Sequence, residues 1–177
     1  MRARGSGKIG NISSNVRQDA QSTGGLYSAS KFSLKGLSEA LARQEAEWGI
    51  SVMIVEPGAF RTNFLSAVVS PEKGPREGAL AQSMGRWSAY AGKQPGDPHK
   101  GSEIIFQVVT GDGEAGELGG NVLRLPLGKD AVTRIEAKTE RLKQDVACCE
   151  GRGLQYGHLK GGNSRLRLGL SSYDSQH

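Results

Sequence analysis

Hydrophobic and polar positions alternate between two periods along this chain, and the changes of period mark its elements. Residues 8–13 carry Ile9 and Ile12 in a short run that predicts a buried strand. The polar stretch 15–25, broken by Gly24-Gly25, reads as a loop. From 26 to 48 the period becomes helical: Phe32, Gly36, Leu37, Ala40, Leu41 and Trp48 form one face, with Lys35, Glu39, Arg43 and Glu47 expected on the wet one. Gly49 is placed as a C-terminal stop. Residues 50–55, almost continuously apolar and rich in β-branched side chains, suit a parallel strand covered on both faces. Strand, loop, helix and strand make a βαβ unit, with a right-handed crossover expected.

The second half is sparser. Phe64, Leu65, Leu80, Met84, Trp87 and Tyr90 are scattered through 63–96, with helical spacing best between 77 and 92. Asp97-Pro98 reads as an N-cap followed by proline at the first helical position, opening a helix that runs through Val109. His99, in its first turn, is expected to face solvent. Residues 111–116 match GxGxxG by letter, but Asp112 and Glu114 would repel a phosphate and Gly119-Gly120 prevents a following helix, so this is read as a surface loop. A late strand is expected at 121–125, closed by Pro126 and Gly128. An amphipathic helix then runs from Asp130 to about Val146, with Val132, Ile135 and Leu142 as its apolar positions.

Composition narrows this picture. Apolar residues make up 36% and aromatics 6% of the 177 residues, and there are 26 glycines, so the core must be economical. The poverty concentrates beyond Cys149, where 151–177 is rich in Gly, Ser and Arg without sustained period and is expected to be disordered. The organisation expected is a folded region at 1–147 and a tail at 148–177. The net charge of +5 is carried by both ends, and two tail tyrosines, Tyr156 and Tyr173, are too few for a stacking platform, so nucleic acid is not the expected partner. Cys148 and Cys149 are adjacent, which disfavours a mutual disulfide; reduced thiols fit a cytoplasmic location. With His158 they lack both a fourth ligand and metal-site spacing, so no metal is expected. No apolar run approaches the roughly 20 residues that span a bilayer, so no membrane partner is expected either.

One stretch carries chemistry. Tyr27 and Lys31 are four apart, on one face of the predicted helix, and Ser14 lies thirteen residues before the tyrosine at the end of the first strand. An ammonium beside a phenol favours the phenolate, whose ordinary pKa is about 10. Tyr27 is therefore a candidate general acid/base, and Ser14 could hydrogen-bond the oxygen that Tyr27 protonates. The turn Glu56-Pro57-Gly58 ends the second strand, and both it and Ser14 fall at carboxyl ends of strands, where doubly wound sheets bind ligands.

Asn11-Ile12-Ser13-Ser14, Tyr27-Ser28-Ala29-Ser30-Lys31 and Pro57-Gly58-Ala59-Phe60-Arg61-Thr62 together closely resemble the active-site segments of the short-chain dehydrogenase/reductase family. The resemblance covers 1–147 and only the C-terminal part of the family's domain. It implies an α/β, partial doubly wound (Rossmann-type) parallel sheet, and hydride transfer between a nicotinamide and a small carbonyl or alcohol substrate. Tyr27 would exchange the proton and Ser14 orient the substrate oxygen. Lys31 would lower the tyrosine pKa and hold the nicotinamide ribose, while Pro57, Gly58, Phe60 and Thr62 would meet the carboxamide. The implied cofactor is NADP or NAD, with NADP favoured. The family's Thr-Gly-x-x-x-Gly-x-Gly loop and Asn-Asn-Ala-Gly segment do not occur in this sequence. The expectation is a form truncated at its N-terminus, with an exposed edge on the serine strand; the intact family member is expected to be a homo-oligomer. The alternative is a catalytically inactive fragment acting as an interaction partner.

Overall fold

A computed structural model describes residues 1–14, 24–67 and 78–151. The chain divides into two compact units, 1–141 and 142–177. Within the described residues, strand β1 (Gly7–Ile12) is followed by helix α1 (Gly25–Glu45), strand β2 (Ile50–Pro57), helices α2 (Gly78–Tyr90) and α3 (Pro98–Thr110), strand β3 (Arg124–Leu127) and helix α4 (Lys129–Gly151). The three strands form one parallel sheet in the order β1-β2-β3, with Ile9 opposite Val52, Ile12 opposite Val55, and Val55 in turn opposite Leu125. The βαβ reading therefore holds, and among the described residues β1 is an edge.

The central strand explains the layering. Met53 and Val55 point to one face, where they pack with Leu125, Leu127 and Val108 of α3. Ile50, Val52, Ile54 and Glu56 alternate with them and are also buried, on the face that α1 covers. Burial on both sides is what the unbroken apolar run required.

Helix α1 departs from its expected orientation. Its buried residues are Ser28, Lys35, Ser38 and Glu45, while Phe32 is 44% and Leu37 64% exposed. Trp48 is exposed as well. Lys35, expected on the wet face, is only 4% exposed, because the buried carboxylate of Glu56 on β2 lies 2.6 Å from its ammonium. Arg124 approaches the same Glu56 oxygen at 2.9 Å and also pairs with Glu39. Small hydroxyl residues at 28 and 38 let the helix approach the sheet, and Ser38 Oγ accepts a hydrogen bond from Asn11 Nδ2 at 2.9 Å. The helix stops at Glu45, and a 3-10 turn, Ala46–Trp48, leads to Gly49, whose φ of +65° gives the left-handed stop.

Elsewhere the boundaries shift for local reasons. The loop expected at 15–25 ends at Gly24, since Gly25 already opens α1; 15–23 lie outside the described residues. Asp97 caps α3 by accepting from His99 N at 2.9 Å, Pro98 occupies its first position, and His99 is exposed, as anticipated. Residues 111–116 follow a helix and lead into a 3-10 turn, not the strand-loop-helix that a phosphate loop needs. Pro126 does not close the last strand but lies inside it: among the described residues β3 is an edge, where a missing N–H costs no ladder bond. On α4 the fully buried residue is Ala131, whereas Val132 and Leu142 are exposed. That helix continues through 148–151, past the expected start of the tail, and 152–177 lie outside the described residues.

Candidate active site

The sheet's carboxyl edge builds the site. At the end of β1 the chain is held down by Ser13, whose N–H donates to Val55 O at 2.8 Å and whose hydroxyl donates to Lys31 O at 3.2 Å. Ser14 follows it and is buried. The first turns of α1 bring Tyr27 and Lys31 to the same place. Lys31 Nζ donates to Ile12 O at 2.9 Å and lies 5.8 Å from the centre of the Tyr27 ring. A single ammonium thus ties α1 to the end of β1 while standing beside the phenol. The Tyr27 ring also meets Phe64, at 5.7 Å between centres.

Beyond β2, each amide has a distinct fate. Gly58 N donates to Leu127 O, Ala59 N to the Asp130 carboxylate at 2.9 Å, Arg61 N to Gly96 O, and Thr62 N to Phe60 O. Phe60 forms a parallel bridge with Gly96 through its two neighbours, which turns its own N–H away; that N–H has no partner among the described residues. Thr62 Oγ1 accepts from Phe64 N at 3.3 Å. Gly58 is required by packing, since a Cβ there would overlap Asp130 Oδ1. The Phe60 ring fills a slot whose floor is glycine: a Cβ at Gly96 or Gly101 would come within 2.8 and 2.7 Å of it.

Ser14, Tyr27, Lys31, Pro57, Gly58, Phe60 and Thr62 all line one cavity of about 1050 Å³. Helix α2 closes part of it with Gln82, Ser83, Arg86, Trp87 and Tyr90, a stripe at helical spacing. Ser13, Gln94, Asp130 and Arg134 belong to this wall but not to the set expected from sequence. Asp130 was visible only as a helix start, and nothing local marks Gln94. In chemical terms the cavity places a hydroxyl, a phenol and an ammonium in an aromatic, largely apolar wall.

The sequence and the fold are both similar to those of known proteins. The family profile described as short chain dehydrogenase matches residues 1–73. The crystal structure of a short-chain dehydrogenase from Streptomyces avermitilis superposes with a TM-score of 0.66 at 36% identity, over 88% of this chain and 54% of that one. This chain belongs to the short-chain dehydrogenase family. Oxidoreductase calM of Penicillium decumbens is 30% identical over 148 residues, covering 79% of this chain and 46% of that protein. A short-chain dehydrogenase from Mycobacterium paratuberculosis, solved bound to NAD, shares the fold at a TM-score of 0.50 and 18% identity, over 75% of this chain and 48% of that one. This dehydrogenase-family chain spans about half the length of each of these three proteins. No helix among its described residues is long and apolar enough to cross a membrane.

Proposed function

We infer that this chain carries the catalytic groups of an NAD(P)-dependent oxidoreductase acting on a small carbonyl or alcohol substrate. The observation that carries the reading is the convergence of Ser14, Tyr27 and Lys31 with the 57–62 segment on one cavity. A nicotinamide bound here would supply or accept the hydride. Tyr27 gives its phenolic proton to the substrate oxygen, or takes it back in the oxidative direction. Ser14 donates a hydrogen bond to that oxygen and fixes its place. Lys31, held by Ile12 O, stands with its ammonium beside the Tyr27 ring and offers its remaining N–H donors to ribose hydroxyls.

The residues present fit the nicotinamide half of a dinucleotide. Phe60 N–H, without a partner among the described residues, is a donor for the carboxamide oxygen, and the Thr62 hydroxyl lies two residues on. NADP is the first choice and NAD the second. The two exposed free thiols, Cys148 and Cys149, support a cytoplasmic setting.

A second reading is an interaction role without catalysis. It is favoured by the edge of β1, unpaired among the described residues, and by Leu26, Phe32 and Leu37 standing exposed on α1. One experiment separates the two. The full chain is mixed with NADPH or NADH and an aromatic ketone, and the loss of nicotinamide absorbance is followed. Turnover is expected, and Tyr27→Phe should slow it by roughly 10²–10⁴-fold while leaving nucleotide fluorescence quenching intact. Turnover unchanged by Tyr27→Phe overturns the assignment; neither binding nor turnover with either nucleotide favours the second reading.

A further inference from the structure

Gln94 is a buried polar group in this cavity that the proposed chemistry leaves unused. It is 3% exposed, it lines the cavity, and its buried Oε1 has no hydrogen-bond partner among the described residues. Its backbone is not free to swing away. Two residues on, Gly96 is bridged to Phe60, with Gly96 N donating to Ala59 O at 2.9 Å and Arg61 N donating to Gly96 O at 2.9 Å. Asp97 then caps α3. The Gln94 amide is therefore fixed to the segment that shapes the reacting end of the site.

A buried acceptor without a donor is costly, and such groups in a binding wall are satisfied by what binds there. The surrounding wall is aromatic, with Phe60, Phe64, Trp87 and Tyr90 providing flat apolar surface. We propose that Gln94 selects the substrate: the cavity takes a cyclic or aromatic ketone, or the matching alcohol, that bears a second hydroxyl, and Gln94 Oε1 accepts that hydroxyl's hydrogen bond. This rests on the oxidoreductase reading above and deepens it. A site built to accept a hydroxyl discriminates strongly against the analogue that lacks it, because the protein acceptor is then left unpaired. An apolar wall alone would give the opposite order.

The test uses binding, so that it stands apart from catalysis. Acetophenone and its 2′-, 3′- and 4′-hydroxy isomers are titrated into the full chain by calorimetry, without nucleotide. At least one hydroxy isomer is expected to bind about tenfold more tightly than acetophenone, and Gln94→Met should remove that preference. Gln94→Met should also keep or raise Tm, since it replaces an unpaired buried acceptor with an apolar chain of similar length; this shows that the variant is folded. Gln94→Glu, an acceptor at the same place, should restore the preference for the hydroxy isomer. No preference in the wild type, or an undiminished preference in folded Gln94→Met, overturns the proposal. Preference without any turnover would sink the oxidoreductase reading alone, and turnover without preference would sink this inference alone.

Discussion

Lys35 Nζ and Glu56 Oε1 lie 2.6 Å apart, both side chains out of water, and so join α1 to the carboxyl end of β2 one residue before Pro57. Arg124 reaches the same oxygen at 2.9 Å, while Glu56 Oε2 accepts no hydrogen bond among the described residues. Removing one partner of a buried pair leaves an uncompensated charge, which typically costs about 3–5 kcal/mol, whereas replacing both with apolar groups is often neutral. Lys35→Met should therefore destabilise the chain by about 3 kcal/mol, at the low end because Arg124 remains. Lys35→Met with Glu56→Leu should recover most of that loss. Urea unfolding midpoints of the single and double variants check this; equal losses in both would mean that the pair does not act as a unit.

The Pro-Gly turn depends on a residue far along the chain. Asp130 accepts from Ala59 N at 2.9 Å, and its carboxylate occupies the space into which a Cβ at 58 would project. Gly58→Ala must displace either Asp130 or the turn, at an expected cost of about 1–3 kcal/mol, the range for overpacking. Gly58→Ala combined with Asp130→Ala should be less destabilised than the sum of the single variants. Thermal unfolding of the four proteins in the cycle gives the coupling, and simple additivity would show that the contact is not the cause.

How far this was legible in the sequence depends on the range of the cause. The run 50–55 announces a strand because both of its faces are buried, and Asp97-Pro98 announces a helix start because capping is local. The spacing of Ser14, Tyr27 and Lys31 anticipated that they share one cavity, because a strand end and a helix face are set within thirty residues. The orientation of α1 was not legible, since Lys35 is drawn inward by Glu56, twenty-one positions away, against the pull of Phe32 and Leu37. Asp130 and Gln94 were missed for the same reason: each enters the wall through backbone contacts made across the fold. Pro126 was misplaced because a proline reads as a stop unless the strand is known to be an edge.

Acid should release one tether of the N-terminal segment. Arg2 Nε donates to Glu45 Oε2 at 2.8 Å, a second guanidinium nitrogen pairs with Oε1, and Arg2 also stands 5.9 Å over the Trp48 ring. The hydrogen bond from Arg2 holds the Glu45 carboxyl below its ordinary range, while partial burial works against it. A carboxylate lowered on folding adds stability above its unfolded value, about 4.3, and that contribution vanishes as the pH falls through the lower folded value. The wild type should therefore exceed Glu45→Gln in stability by a constant margin at neutral pH, and the margin should narrow below about pH 4. Urea midpoints across that interval check it; a margin that widens on acidification would contradict the assigned sign.

The Phe60 slot makes the last prediction, because it ties packing to the proposed nicotinamide donor. The ring lies over Gly101, where a Cβ would stand 2.7 Å from Cε1, and over Gly96, where a Cβ would meet both the ring and Ala59 O at 2.8 Å. At 101 the obstacle is a side chain that a smaller residue could vacate; at 96 it includes backbone, which no substitution at 60 can move. Gly101→Ala should cost about 1–3 kcal/mol through overpacking, and Phe60→Leu should offset part of that loss. Gly96→Ala should cost at least as much and resist rescue by Phe60→Leu. Because the Phe60 amide moves with its ring, Gly101→Ala should also weaken nicotinamide binding, and Phe60→Leu in the same chain should restore it. Denaturation together with nucleotide fluorescence titration on the same preparations separates the two effects. Loss of stability with unchanged nucleotide binding would detach the Phe60 amide from the cofactor role assigned to it.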